Sequence, residues 1–245
     1  MSWEYSYAAA VILSAGVIRG YSGFGFAMIS AITLSFTFPP SQVTPVILCL
    51  EMVASSWLFY KARQKVDWKG LKLIALGAFP ALPLGTLALV VVPANAMRIS
   101  ISLVVICLCI GLLLGKKRIT SPPSAATVGV GILSGFLSGV AAMGGPPVIL
   151  FYFSSDRSTS VSRASMIAFF LMVDGLAIVS SLCYGLIDRQ ALTLSMGLVI
   201  PLVMGIWMGN SLFGKFSNEA AFRRQLIFLL MAIALVSLVK FSIAP

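Results

Sequence analysis

The chain of 245 residues contains no histidine, and only seven of its side chains are carboxylic acids. Without histidine, the usual ligand for haem, zinc and copper is missing. Four cysteines are present, Cys49, Cys107, Cys109 and Cys183, but all lie in apolar stretches and none has the CxxC spacing of a metal or redox motif. They read as buried, unreactive thiols. Charged residues make up 10% of the chain against 59% hydrophobic, too little polar surface to cover a water-soluble domain. The chain therefore reads as an integral membrane protein. Its start, Met1-Ser2-Trp3-Glu4-Tyr5, lacks the basic flank of a secretory leader, and no small-residue cleavage site follows, so the first segment is expected to be retained.

Other absences narrow the function. Gly111-Leu112-Leu113-Leu114-Gly115-Lys116-Lys117 has one residue too few between its glycines for a P-loop and no Ser or Thr after the lysine. With no ATP-binding domain, any transport must draw on gradients or a partner subunit. No nucleophile and base pair, metal cluster or cofactor fingerprint stands out, so neither an enzyme nor a cofactor is expected. A net charge of +10 raises the question of nucleic acid, but the basic residues sit in short loops between apolar runs. Membrane orientation accounts for them, and no nucleic-acid partner is expected.

What is present is a series of apolar stretches: Tyr5–Phe38, Val43–Tyr60, Leu71–Val92, Met97–Leu114, Ala125–Phe153, Val161–Tyr184, Ala191–Phe213 and Phe222–Phe241. Most match the roughly 20 residues that a spanning helix requires. The first and fifth are too long for one simple span. Each contains a glycine-rich break, Gly20-Tyr21-Ser22-Gly23-Phe24-Gly25 in the first and Gly135-Phe136-Leu137-Ser138-Gly139 in the fifth. Other landmarks recur at similar offsets. Asp67 and Asp188 each follow a span and precede Pro80 and Pro201 by 13 residues, Glu51 and Asp174 lie mid-segment 123 apart, and Asn95 and Asn218 have the same separation. Together these indicate an internal duplication: residues 1–115 and 125–245 as two transmembrane repeats, joined by a cytoplasmic linker at 116–124.

Counting basic residues sets the orientation. If each long segment crosses once, Lys and Arg divide 10 to 6 between the two sides. If each returns to the side it started from, the loops at 61–72, 115–118, 157–163 and 215–224 share 13 Lys and Arg, and the other side keeps Arg98, Arg189 and Lys240. The positive-inside rule favours the second arrangement. The expected fold is thus all-α with two inverted repeats, each a broken or re-entrant helix hairpin plus three transmembrane helices, and with both termini outside the cytoplasm. Backbone that leaves helical geometry at membrane depth must be shielded by protein or line a polar cavity. Both breaks are therefore expected at the centre.

Ser22, Gly23, Phe24 and Gly25 offer unusual backbone angles, a hydroxyl and exposed amides. A half-helix starting there would aim its positive end at an anion. Ser138, Gly139, Gly144 and Gly145, followed by Pro146-Pro147, repeat the idea. Close helix packing through Gly131, Gly135 and Gly139 is the competing reading. Arg19 stands beside the first break, where a charge at mid-helix costs at least about 2.5–3.5 kcal/mol. It either binds a substrate oxyanion or pairs with Glu51 or Asp174. Those carboxylates, the only ones inside spans, are candidates for proton or ion coupling. Asp67 and Asp188 read as helix caps, and Pro80, Pro83, Gly85, Pro201, Gly205 and Gly209 as kinks and close contacts.

Arg19-Gly20-Tyr21-Ser22-Gly23-Phe24-Gly25 in the first half, and Ser138-Gly139 through Gly144-Gly145 with the following prolines in the second, resemble the motifs of the sulfite exporter TauE/SafE family of anion permeases. Eight apolar blocks, the basic loop after the second and the central linker extend the resemblance over essentially the whole chain. The family's second motif usually has glycine where this chain has Ala142 and Pro146. The resemblance implies a secondary transporter in the bacterial inner membrane that exports a small sulfur-containing anion, such as sulfite or a C2 organosulfonate like sulfoacetate. An anion channel, or a proton-coupled uptake permease for another small organic anion, is the alternative. With a potential negative inside, an anion leaving alone gains about 2.3 kcal/mol per charge per 100 mV.

Overall fold

The computed structural model describes residues 2–22, 25–114, 123–155, 157–212 and 219–243. The described residues form ten α-helices: α1 (Ser2–Ser22), α2 (Phe26–Leu34), α3 (Pro40–Ala62), α4 (Trp68–Val91), α5 (Ala94–Leu114), α6 (Ser124–Ala141), α7 (Gly145–Ser154), α8 (Thr159–Cys183), α9 (Arg189–Leu212) and α10 (Glu219–Ile243). The two overlong apolar stretches become α1 with α2 and α6 with α7, so the order of a broken helix and three long ones occurs twice. Five helices, Trp68–Val91, Ala94–Gly111, Ser124–Ala141, Ser160–Cys183 and Arg189–Ser211, are long and apolar enough to cross a membrane. Most of the linker expected at 116–124, and Asn218, lie outside the described residues.

Sequence punctuation sets the helix ends. The Asp67 carboxylate accepts from the Gly70 N–H at 3.2 Å, and the Asp188 carboxylate from the Ala191 N–H at 2.7 Å, which satisfies donors that the first turn leaves open. Within the spans, hydroxyls turn back to their own helix: Ser14, Thr86 and Ser195 donate to the carbonyls of Ala10, Leu82 and Ala191. Such bonds let polar side chains sit where no water reaches. Met196, Ile200 and Trp207 on α9 and Leu76 and Leu84 on α4 point outward, the arrangement lipid requires.

Glycine decides which helices touch most closely. A Cβ on Gly131, Gly135 or Gly139 of α6 would strike the carbonyl oxygens of Ile74, Ala78 or Leu82 on α4. On α9, Gly205 and Gly209 meet the carbonyls of Leu13 and Val17 on α1 in the same way. In both pairs the residue numbers rise together, so α4 runs parallel to α6 and α1 to α9. Small residues allow this backbone approach, and dispersion then holds the pair together where lipid supplies no hydrophobic drive. By contrast, α3 and α8 run antiparallel. The Asp67 N–H, just beyond α3, donates to Ser165 near the start of α8 at 2.8 Å, and Met52 reaches Gly175 further along. The helices α5 and α10 are antiparallel as well, since Ser102 Oγ bonds Ser237 Oγ at 2.9 Å and Arg98, a turn earlier, lies 4.7 Å from the ring centroid of Phe241, a turn later.

The first broken helix is a hairpin. Tyr7 near the start of α1 donates to the Thr33 carbonyl near the end of α2 at 2.6 Å, so α2 folds back along α1. Arg98 fixes the far end of α2 by donating to the Ser35 carbonyl at 2.8 Å and the Phe38 carbonyl at 3.2 Å. In the second hairpin, Ala142 caps α6 with a left-handed φ of 57°. Its N–H bonds the Ser138 carbonyl, and the Met143 N–H bonds that of Leu137, a left-handed helix end at which glycine is the favoured residue. Ala142 is the only non-glycine residue with positive φ among those described.

The glycines of α6 separate into two classes, since Gly129 has open space around it and Gly135 has none. Replacing Gly129 by Ala is expected to raise the melting temperature of the solubilised protein, by up to about 1 kcal/mol of helix preference. Gly135→Val should force α4 from α6 and lower it by several degrees. Ala142→Gly relieves the left-handed strain and should stabilise by about 1 kcal/mol, measured in the same melting experiment.

Candidate functional site

Both hairpin tips end at one buried cavity of about 20 Å³. From the first tip come Gly25, Ala27 and Met28, and from the second Ala142, Met143, Gly145 and Pro146; Arg19, Glu51, Phe170 and Asp174 close the sides. Gly25 adopts φ 94°, a left-handed conformation open to glycine, and so turns the chain sharply into α2. The first turns of α2 and α7 thus begin at the cavity wall. Their N-terminal ends carry partial positive charge.

Arg19 extends from α1 to the middle of the molecule and is 5% exposed. It forms an ion pair with Glu51 of α3, donates to Ser55 Oγ at 3.0 Å and lies 5.9 Å from the Phe170 ring centroid. Glu51 and Ser55 are one helical turn apart on α3, so one face of that helix receives the guanidinium. The N–H of Ala27, in the first turn of α2, also faces the Glu51 carboxylate. Asp174, on α8 one turn beyond Phe170, is 3% exposed, and its Oδ2 has no hydrogen-bond partner; Arg19 Nε lacks one too. The cluster holds two carboxylates against one guanidinium. It is electrically balanced only when one proton or cation accompanies it.

The expected site residues divide into three groups. Arg19, Gly25, Glu51, Gly145 and Asp174 line the cavity. Ser138, Gly139 and Gly144 lie just behind it: Gly139 packs against Leu82 and Gly85 of α4, and Gly144 against Ser134 and Ser138. Gly23 and Phe24 lie outside the described residues, as does the side chain of Ser22, the last residue of α1. Sequence reasoning missed Phe170 and Ser55. The i+4 spacing from Phe170 to Asp174 and from Glu51 to Ser55 carried the signal for both. Ala27, Met28, Met143 and Ile149 were not legible, because apolar residues in an apolar span look alike.

A larger cavity of about 100 Å³ opens away from this cluster, lined by Phe38, Gln42, Asp188 and Gln190 and by apolar residues of α1, α3 and α9. At the opposite end of the antiparallel helices α3 and α8 the corresponding position holds an ion pair. There Arg157 Nε pairs with Asp67 Oδ2 at 2.6 Å, and the guanidinium lies 5.5 Å from the Tyr152 ring centroid. The correspondence is local and specific. Phe38 and Arg157 each immediately precede the N-cap of a long helix, Pro39 for α3 and Ser158 for α8, while Asp67 and Asp188 are the N-caps of α4 and α9. One end carries an ion pair, and at the other a phenylalanine and an aspartate line the larger cavity.

The chain matches the sulfite exporter TauE/SafE family over residues 8–237. It is 22% identical over 200 residues to a protein of Cupriavidus necator named "Probable sulfite/organosulfonate exporter TauE", an alignment covering 79% of this chain and 78% of that one. No solved structure matches it. With nearly its full length inside the family's bounds and several membrane-spanning helices, this chain is a multi-pass membrane protein belonging to the sulfite exporter TauE/SafE family.

Proposed function

We propose that the protein is a secondary transporter that exports a small sulfur-containing anion, sulfite or a C2 organosulfonate such as sulfoacetate, by alternating access. The observation that carries this reading is the convergence of two helix N-termini and a buried guanidinium on one cavity. Fixed N–H dipoles and a guanidinium replace the hydration of an oxyanion, and the planar fork of arginine matches two of its oxygens. The relative's name, a sulfite/organosulfonate exporter, supports the substrate class.

The two halves act as inverted repeats in this reading. Corresponding helices α3 and α8, and likewise α5 and α10, run antiparallel, as a twofold axis in the membrane plane requires. With both hairpins returning to their starting side, the loops carrying 13 Lys and Arg share one face. The positive-inside rule makes that face cytoplasmic and puts both termini outside, in the inner membrane of a bacterial cell. Arg157 and Asp67 then stand at the cytoplasmic mouth, and Phe38, Asp188 and the larger cavity at the outer one. A working transporter closes one mouth as the other opens.

Two experiments test this. Arg19→Gln strands the Glu51 carboxylate in the interior and should cost about 3–5 kcal/mol of stability. The neutral pair Arg19→Gln with Glu51→Gln should restore the melting temperature yet bind no sulfite or sulfoacetate by calorimetry; retained binding sinks Arg19's role. For the gate, Asp67→Asn keeps the capping oxygen and removes the charge. In a cysteine-free background carrying Met143→Cys, labelling by an impermeant thiol reagent from the basic face should rise on the order of fivefold, the population shift that loss of a part-exposed ion pair allows. An unchanged rate rules the pair out as a gate.

A further inference from the structure

Glu51 stands where a substrate would. Its carboxylate pairs with Arg19 and faces the Ala27 N–H at the start of α2, the two features that make the cavity suitable for an oxyanion. At about 20 Å³ the remaining space holds roughly one water. Room for a sulfonate therefore comes from the volume that the carboxylate vacates. Beside it, Asp174 is buried, lines the same cavity and has an oxygen without a hydrogen-bond partner.

We propose that Glu51 is the site's resident anion: a carboxylate that holds the place of the substrate oxyanion on Arg19 and yields it only when a proton joins the Glu51 and Asp174 pair. The inference rests on the placement of the anion site at the central cavity. Charge counting sets the stoichiometry. At rest, one guanidinium, two carboxylates and one proton sum to zero. With a monovalent anion on Arg19, neutrality requires both carboxyls to be protonated, so one further proton enters with that anion. An uncompensated charge at this depth is too costly for the alternative.

The charged groups facing Asp174 are Arg19 of α1 and Glu51 of α3. No other element packed against α8 brings one to it: α6 and α7 carry no charged residue, and Arg63 and Lys65 just after α3 and Lys69 and Lys72 near the start of α4 are exposed, beside the start of α8. Asp67, Tyr152 and Arg157 form a separate cluster at the basic face, around Ser165, more than two helical turns from Asp174 along α8. The exchange therefore involves two carboxyls and one arginine. A monovalent anion carried with its proton moves no net charge, so its own gradient and the pH difference set the direction.

Methanesulfonate is a suitable probe, because its charge stays fixed between about pH 5 and 8 and leaves the protein as the titrating partner. Calorimetry on the full-length protein, in buffers of different ionisation heat, counts protons directly. The wild type should take up one proton per anion bound, with affinity falling about tenfold for each unit of rising pH. Glu51→Gln should bind at least about tenfold more tightly at neutral pH, since the competing carboxylate is gone. Asp174→Asn should retain proton uptake through Glu51. The double variant Glu51→Gln with Asp174→Asn should show none, and a pH-independent affinity.

If Glu51 is only a structural counter-ion, Glu51→Gln lowers the melting temperature and leaves affinity unchanged or weaker, which overturns the proposal. A double variant with the wild-type pH slope does the same. If folded wild-type protein binds none of methanesulfonate, sulfite or sulfoacetate, the anion site itself is misplaced, and both readings fall together. Wild-type binding with an unresponsive Glu51→Gln variant removes the resident-anion proposal alone.

Discussion

A guanidinium deep inside a membrane protein must have a counter-charge, and the rest of this structure is arranged around that requirement. Arg19 reaches the centre on α1, so α3 must bring Glu51 to meet it, and the two helices are fixed in depth relative to each other. Phe170 then covers one side of the guanidinium and Ser55 takes one of its donors. The chain stops being helical beside this group. Helix breaks expose backbone dipoles that lipid cannot satisfy, and the buried cluster gives those dipoles a polar neighbour. Break and charge solve each other's problem.

The two faces of the molecule differ in a way that shared architecture does not dictate. Residues in matching places relative to helix N-caps, Arg157 with Asp67 and Phe38 with Asp188, form an ion pair on one side and a cavity wall on the other. Both aspartates also cap helices. Capping alone explains why each position holds an acid. Only the neighbour decides whether that acid is also ion-paired, so a single position before an N-cap, Arg157 or Phe38, separates the two ends.

Much of this was legible in the sequence, for identifiable reasons. A glycine-rich interruption in an overlong apolar run has few explanations in a membrane, and the first falls at a real break, between α1 and α2; the second, Gly135 to Gly139, lies inside α6, where its glycines pack against α4, and the chain breaks only after it, at Ala142 to Gly144. Lone charges such as Arg19, Glu51 and Asp174 stand out against apolar surroundings, and all three line the central cavity. Gly139 shows where such reading stops. In sequence it belongs equally to the break and to the Gly131, Gly135, Gly139 stripe, and its backbone contact with Leu82 and Gly85 depends on which helix faces α6. The pairing of Arg157 with Asp67 was likewise hidden, because it joins loops about 90 residues apart through an interface that no local pattern encodes.

The glycine contacts also bear on how the chain is made. The first hairpin is clasped by α9, and the second by α4, so each hairpin depends on a helix from the other half of the polypeptide, and for the first that helix lies near the far end. While α1 and α2 are being synthesised, their closest partner does not yet exist, and about 190 residues must emerge before Leu13 and Val17 meet Gly205 and Gly209. Until then, the broken backbone beside Arg19 waits without its glycine seal. The two ends of the chain are thus interlocked at completion rather than assembled one after the other.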